Sequence, residues 1–265
     1  METVDFRYHL LIEFDQPVTD HRFTVKCMPR SDARQTILSC RQDIYPEHSL
    51  CEGTDAFGNL CVFGHTVAPH EKFEVLVSGV AVLGLSPAVP AGDDVHLALY
   101  RYASAYTRPG PALRDFFRSL DLPEGTALDR ARYLAHAVHE AFTYAPGTTD
   151  IHTTAEQAMA RRQGVCQDYA HAMLALCRMA GIPCRYVVGM LMGEGQSHAW
   201  AEIADGGYWY GLDPTNDIPV DSQHIKLSHG RDYGDCLINQ GLFTGSAAQR
   251  QSVSVRVEKQ EGEAL

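Results

Sequence analysis

A chain of 265 residues, 45% hydrophobic and 21% charged, holds enough apolar material for one large core or two modest ones, which excludes extensive disorder. Its net charge of -11 is unfavourable for nucleic acid and for anionic membrane surfaces, and no apolar run approaches the roughly 18–20 residues that span a bilayer. Met1-Glu2-Thr3-Val4-Asp5 lacks the basic and apolar regions of a secretory signal, so a cytoplasmic setting is expected, with the eight cysteines as reduced thiols.

Residues 1–95 read as β. Phe6–Phe14 is a strand-like run closed by Asp15-Gln16-Pro17, and short apolar runs follow near 22–28, 36–44, 59–67 and 72–82. Gly58 and Asn59 suit the positive φ of a turn after Asp55-Ala56-Phe57. Short strands at this spacing predict a β-sandwich, and no chemistry is visible in it. The proline- and glycine-bearing stretch 84–111 divides the chain into an N-terminal β domain (1–95) and a second domain (96–265). Within that stretch, Val95–Tyr106 suits a short helix or strand.

Pro111 opens an amphipathic helix through Leu120. A longer helix follows Thr126, with Leu128, Ala131, Leu134, Val138, Ala141 and Phe142 as its buried stripe. His136 and His139 lie three apart on it, which is a weak metal signal. There is no Cys-x-x-Cys pair, and the 27/40 and 51/61 spacings fit no zinc site, so neither metal nor cofactor is expected. Thr154 and Gln157 have the spacing of a capping box that starts a helix leading to Gln163-Gly164.

After that turn, Ala170, Met173, Leu174, Cys177 and Ala180 recur at helical steps until Gly181 and Pro183 stop the helix. Cys166 therefore stands in a first helical turn, where unpaired N–H groups and the positive dipole end favour a thiolate. Asp168 in the same turn suits the dipole and reads as structural. Ser197–Ile203 and Gly207–Leu212 read as strands joined by a short turn, which allows His198 and Asp213 to meet. Cysteine, histidine and aspartate are the nucleophile, base and orienter of a thiol acyl-transfer enzyme. Val253, Val255 and Val257 alternate in a last strand, and the tail from Lys259 reads as frayed.

GVCQDYAH (164–171), SHAWAE (197–202) and WYGLDPTND (209–217) resemble, in order, the signature blocks of the transglutaminase-like cysteine enzymes. Gly181–Gly189 resembles the strand that follows the nucleophile helix. The opening strand with Tyr8-His9, Met28-Pro29-Arg30 and Asp55–Asn59 resemble the β domain preceding many bacterial members. The resemblance implies an α+β fold, an N-terminal β-sandwich followed by a nucleophile helix packed on an antiparallel sheet. It also implies Cys166 as nucleophile, His198 as general base and acid, and Asp213 as the histidine's partner. Gln163 is a candidate oxyanion donor with the Cys166 backbone N–H. Trp200 is a candidate substrate-wall residue, while His21, His65 and His70 read as structural or surface residues.

Amide hydrolysis through a thioester is the favoured function, on a peptide or small amide. Transfer to an amine acceptor is the first alternative. A non-catalytic binding module is the second, and its sign would be a missing member of the triad. The link from Met190 to Ser197 is short beside many relatives, which bears on substrate choice.

Overall fold

The computed structural model describes residues 1–46, 49–92 and 96–260; Val95 and the tail beyond 260 lie outside it. The first strands are β1 (Glu2–Val25), β2 (Gln35–Tyr45), β3 (Ser49–Thr54), β4 (Leu60–Thr66), β5 (His70–Leu83) and β6 (Ala88–Pro90). Next come helices α1 (Pro111–Ser119) and α2 (Ala127–Ala141), strand β7 (Thr143–Tyr144), helix α3 (Ala155–Arg161), strand β8 (Gln163–Gly164) and helix α4 (Cys166–Met179). The chain continues through β9 (Cys184–Leu191), β10 (Gly193–Gly195), β11 (His198–Asp205), β12 (Tyr208–Asp213), β13 (Ile218–Pro219) and β14 (His224–Gly230). It ends with β15 (Asn239–Thr244) and β16 (Gln249–Lys259).

An eight-stranded antiparallel sheet curls around β1. Asp15-Gln16-Pro17 does not end that strand but bends it. Pairing with β5 shifts register between Glu13 and Val18, and Asp20 takes a left-handed φ of 50°. Before the bend β1 lies between β5 and β16; after it, between β4 and β15. Alternate residues Phe6, Tyr8, Leu10, Ile12 and Phe14 turn inward, so the period-two pattern legible in sequence is the core face. His21 and His70 are buried at the bend, 3.2 Å apart, while His65 is a surface partner of Asp20. Strands from both sides of residue 95 share the sheets: β10, β15 and β16 join the first, and β6 pairs with β12 of the second.

The second sheet has the order β13-β12-β11-β9-β14. On one face Cys184, Tyr186, Ala199, Ala201 and Ile203 pack against α4. Further along that face Met190, with Ile225 and Leu227 of β14, joins the core of the first sheet, and Val187, Trp200 and Val220 cluster on the opposite face. α4 is buried on every side from Asp168 to Arg178, a stronger burial than the stripe its sequence predicts. Each fully buried Leu or Met on it contributes about 1.5–3 kcal/mol, so the helix carrying Cys166 is firmly anchored. The Arg178 guanidinium adds to this, donating to backbone carbonyls of Tyr100, Cys184 and Arg231. The linker region 96–106 forms one 3-10 turn, Leu99–Arg101.

Candidate active site

Cys166 is the first residue of α4, and the turn before it is fixed by Asp168. The carboxylate accepts from the Val165 N–H (2.8 Å) and the Thr149 hydroxyl (2.7 Å). Gly164 is required there because a Cβ would collide with the Asp168 side chain. Burial pushes the Asp168 carboxyl up, partly offset by those two hydrogen bonds. Asp168 holds the turn and does not line the cleft.

His198 opens β11 and Asp213 closes β12, two antiparallel neighbours. His198 Nε2 stands 2.7 Å from Asp213 Oδ2. Asn216 Nδ2 donates to that same oxygen, and the Thr215 and Asn216 backbone N–H groups donate to Oδ1. Burial raises the Asp213 carboxyl, but hydrogen bonds from His198 and His224 outweigh it and hold it well below the usual carboxylate range. Burial also works against the charged form of His198. The Asp213 carboxylate and a hydrogen bond with Cys166 overcome it and push the imidazole up to about 10. With Nε2 engaged by Asp213, Nδ1 is the nitrogen left for the sulfur.

The thiol and the imidazole open into one cavity of about 740 Å³. Tyr144, Ile151, Tyr186 and Tyr233 supply aromatic and aliphatic wall, and Glu194 supplies the one carboxylate among the described lining residues. The arrangement presents a sulfur, a proton-carrying imidazole and a fixed carboxylate at an open, partly apolar cleft.

Residues 114–214 match the transglutaminase-like superfamily, and residues 4–82 match the bacterial transglutaminase-like N-terminal region. The chain belongs to the transglutaminase-like superfamily. An uncharacterized protein of Mycobacterium leprae (strain TN) is 30% identical over 269 residues, covering 92% of this chain and 94% of that one. An uncharacterized protein of Mycobacterium tuberculosis (strain H37Rv) is 31% identical over 273 residues, covering 89% and 86%. The crystal structure of a candidate cysteine protease from Cytophaga hutchinsonii superposes with a TM-score of 0.80 at 21% identity, covering 100% of this chain and 93% of that one. That likeness extends the transglutaminase-like fold to the whole molecule.

Two residues singled out in the sequence are not at the cleft of this superfamily member. Gln163 pairs with Thr143 in the two-residue β7–β8 ladder, exposed and away from the cavity lining. Trp200 is buried behind the sheet with Val187 and Val220, its ring 5.3 Å from His224 and 6.2 Å from His198. Strand alternation puts it on the His198 face, where it supports the imidazoles from behind. Trp209 is likewise core, beneath the Arg185 guanidinium at 4.0 Å.

Sequence reasoning missed His224. It is fully buried, with Nε2 3.3 Å from Asp213 Oδ2 and Nδ1 3.2 Å from Asp221 Oδ1. His198, Asp213 and His224 thus bring three donor atoms within 4.8 Å, the chemistry of a metal ligand set. Their atoms are already joined to each other by hydrogen bonds, which a metal would have to break. His136 and His139 are tied to the segment after Asp213, through Asp217 Oδ2 (2.7 Å) and the Thr215 carbonyl (3.1 Å). All eight cysteines are free. Among the described residues, no helix is long and apolar enough to cross a membrane.

Proposed function

We propose that this protein is a cysteine-dependent amide hydrolase working through a thioester, with Cys166, His198 and Asp213 as its catalytic triad. The observation that carries this reading is the Cys166 thiol opening into the same cleft as a His198 imidazole that Asp213 holds at 2.7 Å. The Cys166 sulfur attacks the substrate carbonyl carbon, and its proton is held on His198 Nδ1. The Cys166 backbone N–H, in the first turn of α4, supports the developing oxyanion. His198 then gives the proton to the departing amine, the C–N bond breaks, and the acyl group remains on sulfur. Water adds to the thioester while His198 takes a proton from it. The C–S bond then breaks, releasing the acid and the free thiol.

Hydrolysis is favoured over transfer because the cleft is open to water. An amine acceptor must outcompete water at about 55 M, which takes a bound acceptor held beside the thioester. The two tryptophans available to wall an acceptor channel are both buried in core. A cytoplasmic, reducing setting suits a catalytic thiol. The test follows acyl-enzyme breakdown in ¹⁸O water, with and without a primary amine. Incorporation of ¹⁸O into the product carboxylate without amine is the expected result. Turnover that stalls until amine is added would make the protein a transferase.

A further inference from the structure

β16 carries a feature that the triad does not use. On one side its register with β1 is uniform from Phe14↔Gln249 to Val4↔Lys259. At one end the Gln260 N–H donates to the Thr3 carbonyl, and at the other the Asp15 N–H donates to the Ala248 carbonyl. Both bonds fix even-numbered residues of this strand as the ones whose backbone groups face β1. Because direction alternates along an antiparallel strand, odd-numbered residues face the other way. Val255 and Val257 meet Gly195 and Gly193 of β10 there. β10 stops at Gly195, so among the described residues no strand pairs with the outer edge of β16 at Gln251 and Val253. Gln251, Ser252 and Val253 line the same cavity as Cys166 and His198.

We propose that this open edge docks an extended polypeptide substrate, whose backbone pairs with Gln251 and Val253 while its scissile bond lies at Cys166. The inference deepens the hydrolase reading and rests on it. Residues i and i+2 on one edge lie about 6.6–6.8 Å apart, the repeat at which an extended peptide presents its own N–H and C=O groups. Backbone pairing of this kind is indifferent to side chains, so selectivity falls to the walls, where Tyr144 and Ile151 favour apolar residues and Glu194 disfavours acidic ones. A small amide gains nothing from the edge.

The test uses quenched-fluorescent random peptide libraries from dipeptides to hexapeptides. In the wild type, kcat/KM rises with length, by about tenfold for each edge hydrogen bond pair gained. Gln251→Pro removes an outward N–H and leaves the β1 ladder whole, since proline is tolerated where its missing donor faced solvent. It flattens that length dependence while the rate of Cys166 alkylation by iodoacetamide stays unchanged. Should Gln251→Pro fail to fold by circular dichroism, hexapeptides carrying single backbone N-methyl groups give the same answer on the wild type, with one position lowering turnover about tenfold. Equal length dependence in both proteins, or no effect of N-methylation at any position, overturns the docking edge and leaves the triad standing. Equal cleavage by Cys166→Ala overturns both.

Discussion

His224 and His198 converge on one oxygen: Asp213 Oδ2 lies 2.7 Å from His198 Nε2 and 3.3 Å from His224 Nε2. The second imidazole is itself held by Asp221 Oδ1 and by the edge of the Trp200 ring. It holds the carboxylate that in turn holds His198, and under the proposed mechanism this makes it a positioning residue. His224→Ala should lower kcat about tenfold with KM little changed, and shift the alkaline limb of the pH–rate profile, whereas His224→Gln should restore part of both by keeping an N–H donor. A merely structural role would reduce the folded fraction without moving the pH profile of what remains.

The three residues of the proposed triad should respond unequally to replacement. Cys166→Ala and His198→Ala each remove the unit, with losses on the order of 10⁴ or more in kcat. Asp213→Asn should cost less, because the amide can still orient the ring although it no longer stabilises the imidazolium. Single-turnover kinetics on a peptide amide would measure this, and wild-type activity in His198→Ala would refute the scheme.

Cys166 should be the most reactive of the eight thiols. Cys27, Cys61, Cys177, Cys184 and Cys236 are buried, leaving Cys40 and Cys51 as the exposed competitors. Burial pushes the Cys40 thiol up, which disfavours its thiolate. Cys166 opens α4 and shares its cleft with the imidazole that Asp213 holds. Iodoacetamide at pH 6, read by mass spectrometry, should label Cys166 first. Preferential labelling of Cys51 would remove the main support for the nucleophile.

Much of this site was legible because its signals are local. Cys166 follows a turn glycine and opens a periodic helix, and His198 and Asp213 flank a hairpin whose strands alternate. Gln163 lies outside the cavity lining, in the β7–β8 ladder, since nearness in sequence to Cys166 does not fix where a side chain sits. Trp200 obeys the alternation rule, yet sequence cannot tell that its face is covered by Val187 and Val220. His224 is joined to Asp213 across a change of strand, and no spacing announces such a partner. The bend in β1 was also hidden. Pro17 reads as a stop, but the strand survives it because different partners pair before and after the bend.

The His198–Asp213 pairing makes stability depend on pH in a defined direction. His198 sits near 10 in the folded chain against an ordinary 6.5, so the folded state binds that proton more tightly than the unfolded one. Its contribution is complete below about pH 6.5 and is lost as pH rises towards about 10. Urea midpoints for wild type and His198→Gln should therefore converge between pH 6.5 and 10. A constant difference across that window would mean that the pair is not ionic.

Glu202, four residues beyond His198 on β11, accepts on one oxygen from Arg185 Nε and Lys226 Nζ, both at 2.7 Å. The three side chains are only 2%, 6% and 14% exposed, respectively. Burial raises the Glu202 carboxyl, but Lys226 and Arg185 outweigh it and hold it well below the usual range. Burial and the neighbouring Arg185 bring the Lys226 ammonium down to about 8, only partly offset by Glu202. Glu202→Gln would leave two buried cations without their shared counter-charge, a loss of about 3–5 kcal/mol. For a chain of this size that lowers Tm by roughly 6–20 °C. Adding Lys226→Met removes one of the two cations and should recover part of the loss. Differential scanning calorimetry at pH 7 decides it: a shift under about 2 °C for Glu202→Gln would mean that water screens the cluster.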